Sequence, residues 1–143
     1  MPSLAQQIVD GAGDAIVFAD GGGTIRLWNA AAERMFGYPA AEAVGASLDL
    51  IVPEKHRPRH WDGYARVMQT GQTKYGGELL AVPAVRRDGS RISIEFTVTL
   101  VRDGDGAVQG IAAIIRDVSA RRDADAKLRR RVQELEQRTA GGA

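Results

Sequence analysis

Residues 28–38 have the sequence Trp-Asn-Ala-Ala-Ala-Glu-Arg-Met-Phe-Gly-Tyr, which decides how the first half of the chain folds. Asn29 suits the N-cap of a helix, because its side-chain oxygen can accept a free amide hydrogen of the first turn. The pattern therefore predicts a short helix over 30–36. Gly37 is expected to end that helix, because glycine readily adopts the left-handed conformation that follows many last helical turns.

Two strands are predicted before this helix, and a second short helix is predicted after it. Residues 15–19 form a short apolar run, and the glycines of 21–23 follow it as a turn. Residues 24–28 alternate and are rich in β-branched and aromatic side chains, so they predict the returning strand of a hairpin. The second helix is predicted over 39–44 and ends at Gly45.

The longest helix of the body is predicted over 58–70. Pro58 suits a first helical turn, and Gly71 suits the helix end. One face of this helix is apolar apart from an imidazole and a phenol hydroxyl. The residues on this face follow His60 at spacings of four, seven and eight positions. They are His60, Tyr64, Val67 and Met68.

Three strands are predicted after the long helix, over 75–86, 91–101 and 108–118. Pro83 indicates that the first of them lies at a sheet edge or carries a bulge. An Asp-Gly pair at 88–89 predicts the hairpin turn that follows it. The third strand is almost wholly apolar, which predicts a central position. The second strand alternates, and one of its faces carries Ile92, Ile94, Phe96 and Val98.

Length and composition narrow the classes of function. The 143 residues can enclose one core with one attached helix, and the net charge of +1 gives no electrostatic argument for nucleic acid. The absence of cysteine excludes disulfides, thiolate metal sites, covalently attached haem and cysteinyl photochemistry. No apolar run approaches the roughly 20 residues of a membrane span, and the N-terminus lacks a secretory pattern. The sequence therefore predicts a cytoplasmic domain with no membrane span and no nucleic-acid partner.

The C-terminal tail differs from the body. Residues 118–143 carry 7 basic and 4 acidic side chains, whereas residues 1–117 carry 12 basic and 14 acidic ones. Apolar side chains spaced by four and three residues predict a coiled-coil seam of only about two heptads, formed by Leu128, Val132 and Leu135.

These differences predict three parts: an N-terminal cap helix within 1–13, a body over 14–118 and a helical linker over 119–143. Isolated helices as short as the seam are marginal in water. We therefore expect a homodimer that also uses the outer face of the sheet or the N-terminal helix, with the seam contributing.

The order of these elements resembles the PAS sensory fold over about residues 5–120. The resemblance implies an α+β fold, in which a five-stranded antiparallel sheet carries short helices and one longer helix on one face and continues into a C-terminal signalling helix. It also implies a small-ligand or cofactor pocket, and an output domain or partner protein reached through that helix. The matching residues are Asp-Ala-Ile-Val at 14–17, Gly-Thr-Ile at 23–25, the stretch 28–38, Arg-Asp-Gly at 87–89 and Asp-Val-Ser-Ala-Arg at 117–121.

A narrower resemblance concerns His-Trp-Asp-Gly-Tyr at 60–64, which is similar to the long-helix segment of haem-binding PAS domains in oxygen- and carbon-monoxide-sensing proteins. In oxygen sensors of the FixL type, a histidine just before Asp-Gly-Tyr is the iron ligand. Here Trp61 stands between the histidine and that tripeptide. The resemblance implies haem b with His60 on the iron. The further cofactor contacts it implies are Tyr64, Met68, Leu80, Ile94, Phe96 and Val98.

Two other positions follow from the same resemblance. Leu80 occupies the place where FixL-type sensors carry an arginine that hydrogen-bonds oxygen, and an apolar side chain cannot do so. Oxygen sensing in that manner is therefore disfavoured. Asp117 is expected at the junction between sheet and signalling helix, where it can accept hydrogen bonds from the start of the helix.

One alternative remains open at this point. The chain could be a cofactor-free PAS module for dimerisation or protein interaction, with His60 a structural histidine, as we expect His56 to be. It is not expected to be an enzyme, because no nucleophile–base pair, paired acids or metal-ligand cluster is evident. We expect it to be part of a longer signalling protein whose output domain these residues do not identify.

Overall fold

A computed structural model describes residues 2–73 and 78–141. Its elements run in the order predicted, with two short 3-10 turns before the long helix. The helices are α1 (Leu4–Gly11), α2 (Ala30–Phe36), α3 (Ala40–Ala43), α4 (Arg57–Thr70) and α5 (Ser119–Gly141); the strands are β1 (Ala15–Asp20), β2 (Ile25–Trp28), β3 (Leu80–Val85), β4 (Arg91–Arg102) and β5 (Val108–Asp117).

The five strands form one antiparallel sheet in the order β2-β1-β5-β4-β3. The apolar strand β5 is central, and β3 lies at an edge, so both sheet positions are confirmed. The strand predicted over 75–86 is shorter within the described residues, because it starts at Leu80 opposite Phe96, where its pairing with β4 begins. Residues 75–77 of that prediction lie outside the described residues.

Asn29 ties three elements together beneath the sheet. Its side-chain oxygen accepts from the backbone N–H groups of Ala32 (3.0 Å) and Ile16 (2.9 Å), and the first of these is the predicted helix cap. Its amide group donates to the carbonyls of Val9 (2.8 Å) and Asp14 (3.1 Å). A side chain that is only 1 % exposed thus has all its hydrogen bonds made inside the fold.

The core lies between the sheet and the short helices. Phe36 is fully buried, and its ring lies 5.4 Å from the ring of Trp28. The Trp28 indole N–H donates to the carbonyl of Tyr38 at 2.9 Å, so the residue after Gly37 is held against the hairpin. Gly37 has φ +84°, which explains why glycine ends α2.

Both edges of the sheet are partly covered. On β2, the Ile25 N–H donates to the Ala46 carbonyl, and its carbonyl accepts from the Gly45 N–H, both at 2.8 Å. On β3, Pro83 stands opposite Ser93. The two main-chain groups of Ser93 are bonded on the other side of β4, so Pro83 directs its nitrogen to the open edge and removes no ladder bond.

Helix α5 leaves the sheet through a short hydrogen-bonded junction. The Val118 N–H donates to the Ser93 carbonyl at 2.8 Å, and the Ser93 N–H donates to the Ser119 hydroxyl oxygen at 2.9 Å. The base of α5 is therefore fixed to β4. Among the helices of the described residues, none is long and apolar enough to cross a membrane.

Candidate cofactor site

Helix α4 presents its aromatic residues to the β1–β2 hairpin. Trp61 lies over the hairpin turn, where a Cβ added to Gly23 would come within 2.1 Å of the indole ring. Gly23 also has φ +81°, so both space and backbone conformation call for glycine there. The indole N–H of Trp61 donates to the Asp49 carboxylate at 2.8 Å. These contacts fix the first turns of α4 against the body.

Tyr64 attaches α4 to the end of β1. Its hydroxyl oxygen lies 2.6 Å from the carbonyl oxygen of Asp20 and 3.1 Å from that of Ala19. Burial, helped by the charge of Asp20, raises the pKa of Tyr64 to about 12. The hydroxyl therefore stays protonated near neutral pH and donates to backbone.

Met68 lies one helical turn further along α4. Its terminal methyl carbon is 3.3 Å from the position that a Cβ on Gly21 would take. Met68 is half-buried against the β1–β2 turn. Its role as a cofactor contact stays a prediction, as does that of Tyr64.

His60 has a buried nitrogen with no partner among the described residues. Its Nδ1 is shielded from solvent and makes no hydrogen bond. The imidazole lies 4.8 Å from the Trp61 ring and 5.9 Å from the Tyr64 ring, measured between centroids. Burial lowers the pKa of His60, and the Asp49 charge opposes this shift more weakly. The imidazole is therefore neutral near pH 7 and keeps one nitrogen lone pair for an acceptor or ligand role.

The predicted wall residues share the inner face of the sheet. Leu80 stands directly opposite Phe96, and Ile94 stands opposite Val82, so all four point to the same side. Ile94 is 4 % exposed and belongs to the core, whereas Val82 is 42 % exposed on the same face. Leu80, Phe96 and Val98 are half-buried. The part of this face towards β3 is apolar and incompletely covered.

The chemical types of these side chains are those that a haem b site requires. A neutral imidazole is a suitable axial ligand of haem iron, and an apolar wall suits a porphyrin face. The unpartnered nitrogen of His60 and the half-buried apolar residues of β3 and β4 are the features of the described chain that fit the group. The assignments of His60, Leu80, Ile94, Phe96 and Val98 to that cofactor stay predictions.

Asp117 ends β5 next to the first turn of α5. Its carboxylate accepts from the Ser119 N–H at 2.9 Å, and in the sheet it stands opposite Ile94. It is therefore both a cap of the helix and a neighbour of a core residue. Its part in signalling stays a prediction.

A chain of charges on the outer face of the sheet was not predicted. Arg116 pairs with Asp14 at 3.1 Å and stands opposite Glu95, which in turn pairs with Arg121 of α5. The Glu95 side chain is only 14 % exposed. The alternation of β4 places Glu95 on the outer face, but only the strand register brings it to Arg116 and Arg121. Asp49 and Gly23 were missed for the same reason, since their partner Trp61 lies elsewhere in the chain.

Comparison with known proteins agrees with this architecture. The family model described as the PAS fold matches residues 3–118. Sensor protein FixL of Bradyrhizobium diazoefficiens is 30% identical over 122 residues, which are 85% of this chain and 24% of FixL. Oxygen sensor protein DosP of Escherichia coli is 28% identical over 95 residues, 66% of this chain and 12% of DosP. The chain therefore spans a quarter or less of these two relatives.

Solved structures show the same fold. An RNA-binding light-oxygen-voltage receptor superposes with a TM-score of 0.71 and 25% identity, over 93% of this chain and 37% of the receptor. A PAS domain from Colwellia psychrerythraea gives a TM-score of 0.68 at 20% identity, over 80% of this chain and 93% of that domain. The five-stranded antiparallel sheet with its helices and C-terminal helix, the fold expected from the sequence, is confirmed. With a family model that matches most of its length and a 30% identical sensor protein, this chain belongs to the PAS family.

Proposed function

We propose that this PAS sensory domain holds haem b through His60, between α4 and the inner face of the sheet, and passes a gas or redox signal into α5. We further propose that it acts by binding and not by catalysis. The observation that carries the proposal is the buried, unpartnered Nδ1 of His60 on α4. The apolar, half-buried residues of β3 and β4 supply a candidate wall.

Burying a polar atom without a partner is costly, which supports a ligand role for His60. A buried unsatisfied group costs about 1–3 kcal/mol, so such atoms are rare in folded proteins. The neutral state of the imidazole, favoured by burial, leaves a nitrogen free to bind a metal. The names of FixL, a sensor protein, and DosP, an oxygen sensor protein, support the sensory part of the proposal.

When bound, haem would supply an iron that takes a diatomic ligand and changes redox state. The chain's own residues would then do the rest. His60 would hold the iron from α4, while Phe96 and Val98 would exclude water from the opposite side. Leu80 offers no hydrogen-bond donor, so the wall near β3 would favour a ligand that needs none.

Strand β4 connects this wall to the signalling helix. Phe96 and Val98 face inward, whereas Ser93 and Glu95 face the base of α5 and bond to it. A displacement of β4 at the pocket would therefore move the attachment points of α5. That route would bias the equilibrium of the helix without any contact between the helix and the ligand.

The test is reconstitution of the purified chain with haemin, followed by its visible spectrum. We expect a Soret band that shifts from free haemin, and we expect His60→Ala to abolish that shift. His56→Ala is the matched control, because it removes a histidine four residues earlier from a short turn. Circular dichroism checks that each variant is folded. Equal loss from both substitutions in folded protein would contradict the role of His60.

A second candidate is a cofactor-free dimerisation module, favoured by the exposed apolar residues of α5. A folded wild-type chain that gives no Soret shift would support this second candidate over the first. A cytoplasmic location is common to both proposals.

A further inference from the structure

Arg86 is a charged residue on the core side of the sheet. The pairing of β3 with β4 continues to this residue, because its N–H donates to the Ser90 carbonyl at 2.9 Å. Strand alternation therefore places Arg86 on the same face as Ala84, which is 1 % exposed and belongs to the core. Arg86 itself is half-buried. A permanently charged side chain thus points towards the layer of short helices.

The Nε atom of Arg86 is shielded from solvent and makes no hydrogen bond with any described residue. A guanidinium group has five N–H donors and no acceptor, and it keeps its charge at every physiological pH. A buried donor of this kind is costly when it is left without an acceptor. The group that satisfies it must therefore come from outside the described part of the chain.

A cavity of about 410 Å³ adjoins Arg86. Its other lining residues belong to the end of α2 and to the turn between β3 and β4; they are Phe36, Gly37, Arg87 and Asp88. The turn is fixed to α2, because the Arg87 N–H donates to the Phe36 carbonyl at 2.8 Å. A main-chain bond thus holds two walls of this corner together.

The carboxylates around this corner already have partners. Asp88 accepts from the Ser90 N–H at 2.9 Å and from its hydroxyl at 2.6 Å. Glu42 of α3 pairs with Arg87 at 3.2 Å. Arg86 has no ion pair among the residues that the structure describes. The acceptor that Arg86 lacks is therefore not supplied by its acidic neighbours.

A carboxylate from a bound molecule would supply that acceptor. Its two oxygens match the edge of one guanidinium, as in bidentate arginine–carboxylate pairs. A doubly charged phosphate fits less well, because Asp88 lines the same cavity and stays ionised. The hydrogen bonds from Ser90 lower the pKa of Asp88, and the charge of Arg86 lowers it less. The cavity is also much larger than a carboxylate group, so it has room for the body of a small acid.

We propose that the corner between α2 and the β3–β4 turn binds a small organic monocarboxylate, whose carboxylate pairs with Arg86. The described residues that line this corner include none from α4 and none of the predicted cofactor contacts. The proposal does not depend on haem, so loss of the Soret band and loss of this binding are separate outcomes.

The test follows arginine Nε–H signals in ¹H–¹⁵N NMR spectra of the full chain. Benzoate, propionate and inorganic phosphate are titrated separately near neutral pH, each replacing chloride at constant ionic strength. The Arg86 signal is identified by its absence from Arg86→Lys. We expect benzoate to shift it with saturation and to bind about tenfold more tightly than propionate, because its ring fills more of the cavity. Phosphate should bind more weakly than benzoate.

Matched substitutions show whether Arg86 is the binding group. Arg86→Lys keeps the charge but loses the planar pair of donors, so it should weaken benzoate binding at least tenfold, measured from backbone amide shifts. Arg91→Lys makes the same change at an exposed position of the same hairpin and should leave the affinity unchanged. Equal effects of the two substitutions, or a shift that never saturates, would overturn the site.

Two other outcomes would overturn the assigned ligand. Phosphate that binds more tightly than benzoate would contradict a monocarboxylate. Equal affinities for propionate and benzoate would mean that only the carboxylate group is recognised, as expected for an acidic side chain of a partner protein and not for a free organic acid. Unchanged backbone amide shifts elsewhere in each variant check that the domain is folded.

Discussion

Replacing Asn29 should destabilise the domain more than any ordinary helix cap would. Its side chain is buried and makes four hydrogen bonds, two as acceptor and two as donor. Loss of an N-cap alone costs about 1 kcal/mol, and each further neutral hydrogen bond contributes about 0.5–1.5 kcal/mol. We therefore expect Asn29→Ala to lower the free energy of unfolding by about 3–4 kcal/mol.

Two variants separate the cap from the other bonds. Asn29→Ser can still accept from the Ala32 N–H, so it should be about 1 kcal/mol more stable than Asn29→Ala. Ser3→Ala removes the cap of α1, whose side chains are all exposed or half-buried, and should cost less than about 1 kcal/mol of global stability.

Urea unfolding followed by tryptophan fluorescence gives the free energy and the slope for each protein. Trp28 and Trp61 report on the two sides of the hairpin, so coincident transitions would support a two-state analysis. The reasoning fails if Asn29→Ala costs no more than Ser3→Ala, because the four bonds would then contribute nothing beyond one exposed cap.

Three further outcomes are expected. Gly23→Ala should lower the free energy of unfolding by about 3 kcal/mol, because the new methyl group clashes with Trp61 and φ at this position is +81°. In a Trp61→Ala background only the backbone strain remains, so the same substitution should cost about 1–2 kcal/mol. Urea unfolding of the wild type, the two single variants and the double variant tests this. The free energy of unfolding should fall as pH rises from 10 to 12, because the pKa of Tyr64 is about 12 in the folded protein and 10.0 in the unfolded chain. Tyr64→Phe should flatten that decline when unfolding is measured across this pH range. Glu95→Gln should speed amide hydrogen exchange in the first turn of α5, because it removes the ion pair with Arg121. It should lower the free energy of unfolding by less than about 1 kcal/mol, since Arg121 is largely exposed. Unchanged exchange would mean that the Glu95–Arg121 pair does not hold the helix.

The fold was predictable because its determinants are local. The Asn29 cap, the left-handed Gly37 and the alternation of 91–101 each act within a few residues. The helix start, the helix end and the strand that they predict are all confirmed. Pro83 identified an edge strand because proline cannot donate to a ladder on both sides. The predicted strand began too early within the described residues, because residues 78 and 79 lie outside β3, whose pairing with β4 begins at Leu80.

The candidate site was only partly predictable because its contacts are distant in sequence. His60 could be singled out from its own segment, but its unpartnered nitrogen depends on how Trp61 and Tyr64 pack around it. The contact of Trp61 with Gly23 joins residues on different elements, and no periodicity reports it. The same holds for Glu95, whose two arginine neighbours are set by strand register and by the exit of α5.

The covered edges of the sheet have a consequence for how the protein behaves when concentrated. Strand edges with free amides are templates for intermolecular β-sheet growth, the first step of many aggregates. On β3 the outward amide positions are 81, 83 and 85. Residue 83 is a proline, and the Val85 N–H donates to the Ile51 carbonyl at 3.0 Å. Ala81 is thus the one amide within β3 left to point outward, and the main chain of Ile25 on β2 is already bonded to 45–46. The domain can expose apolar surface for association while its edges resist fibril-like strand addition.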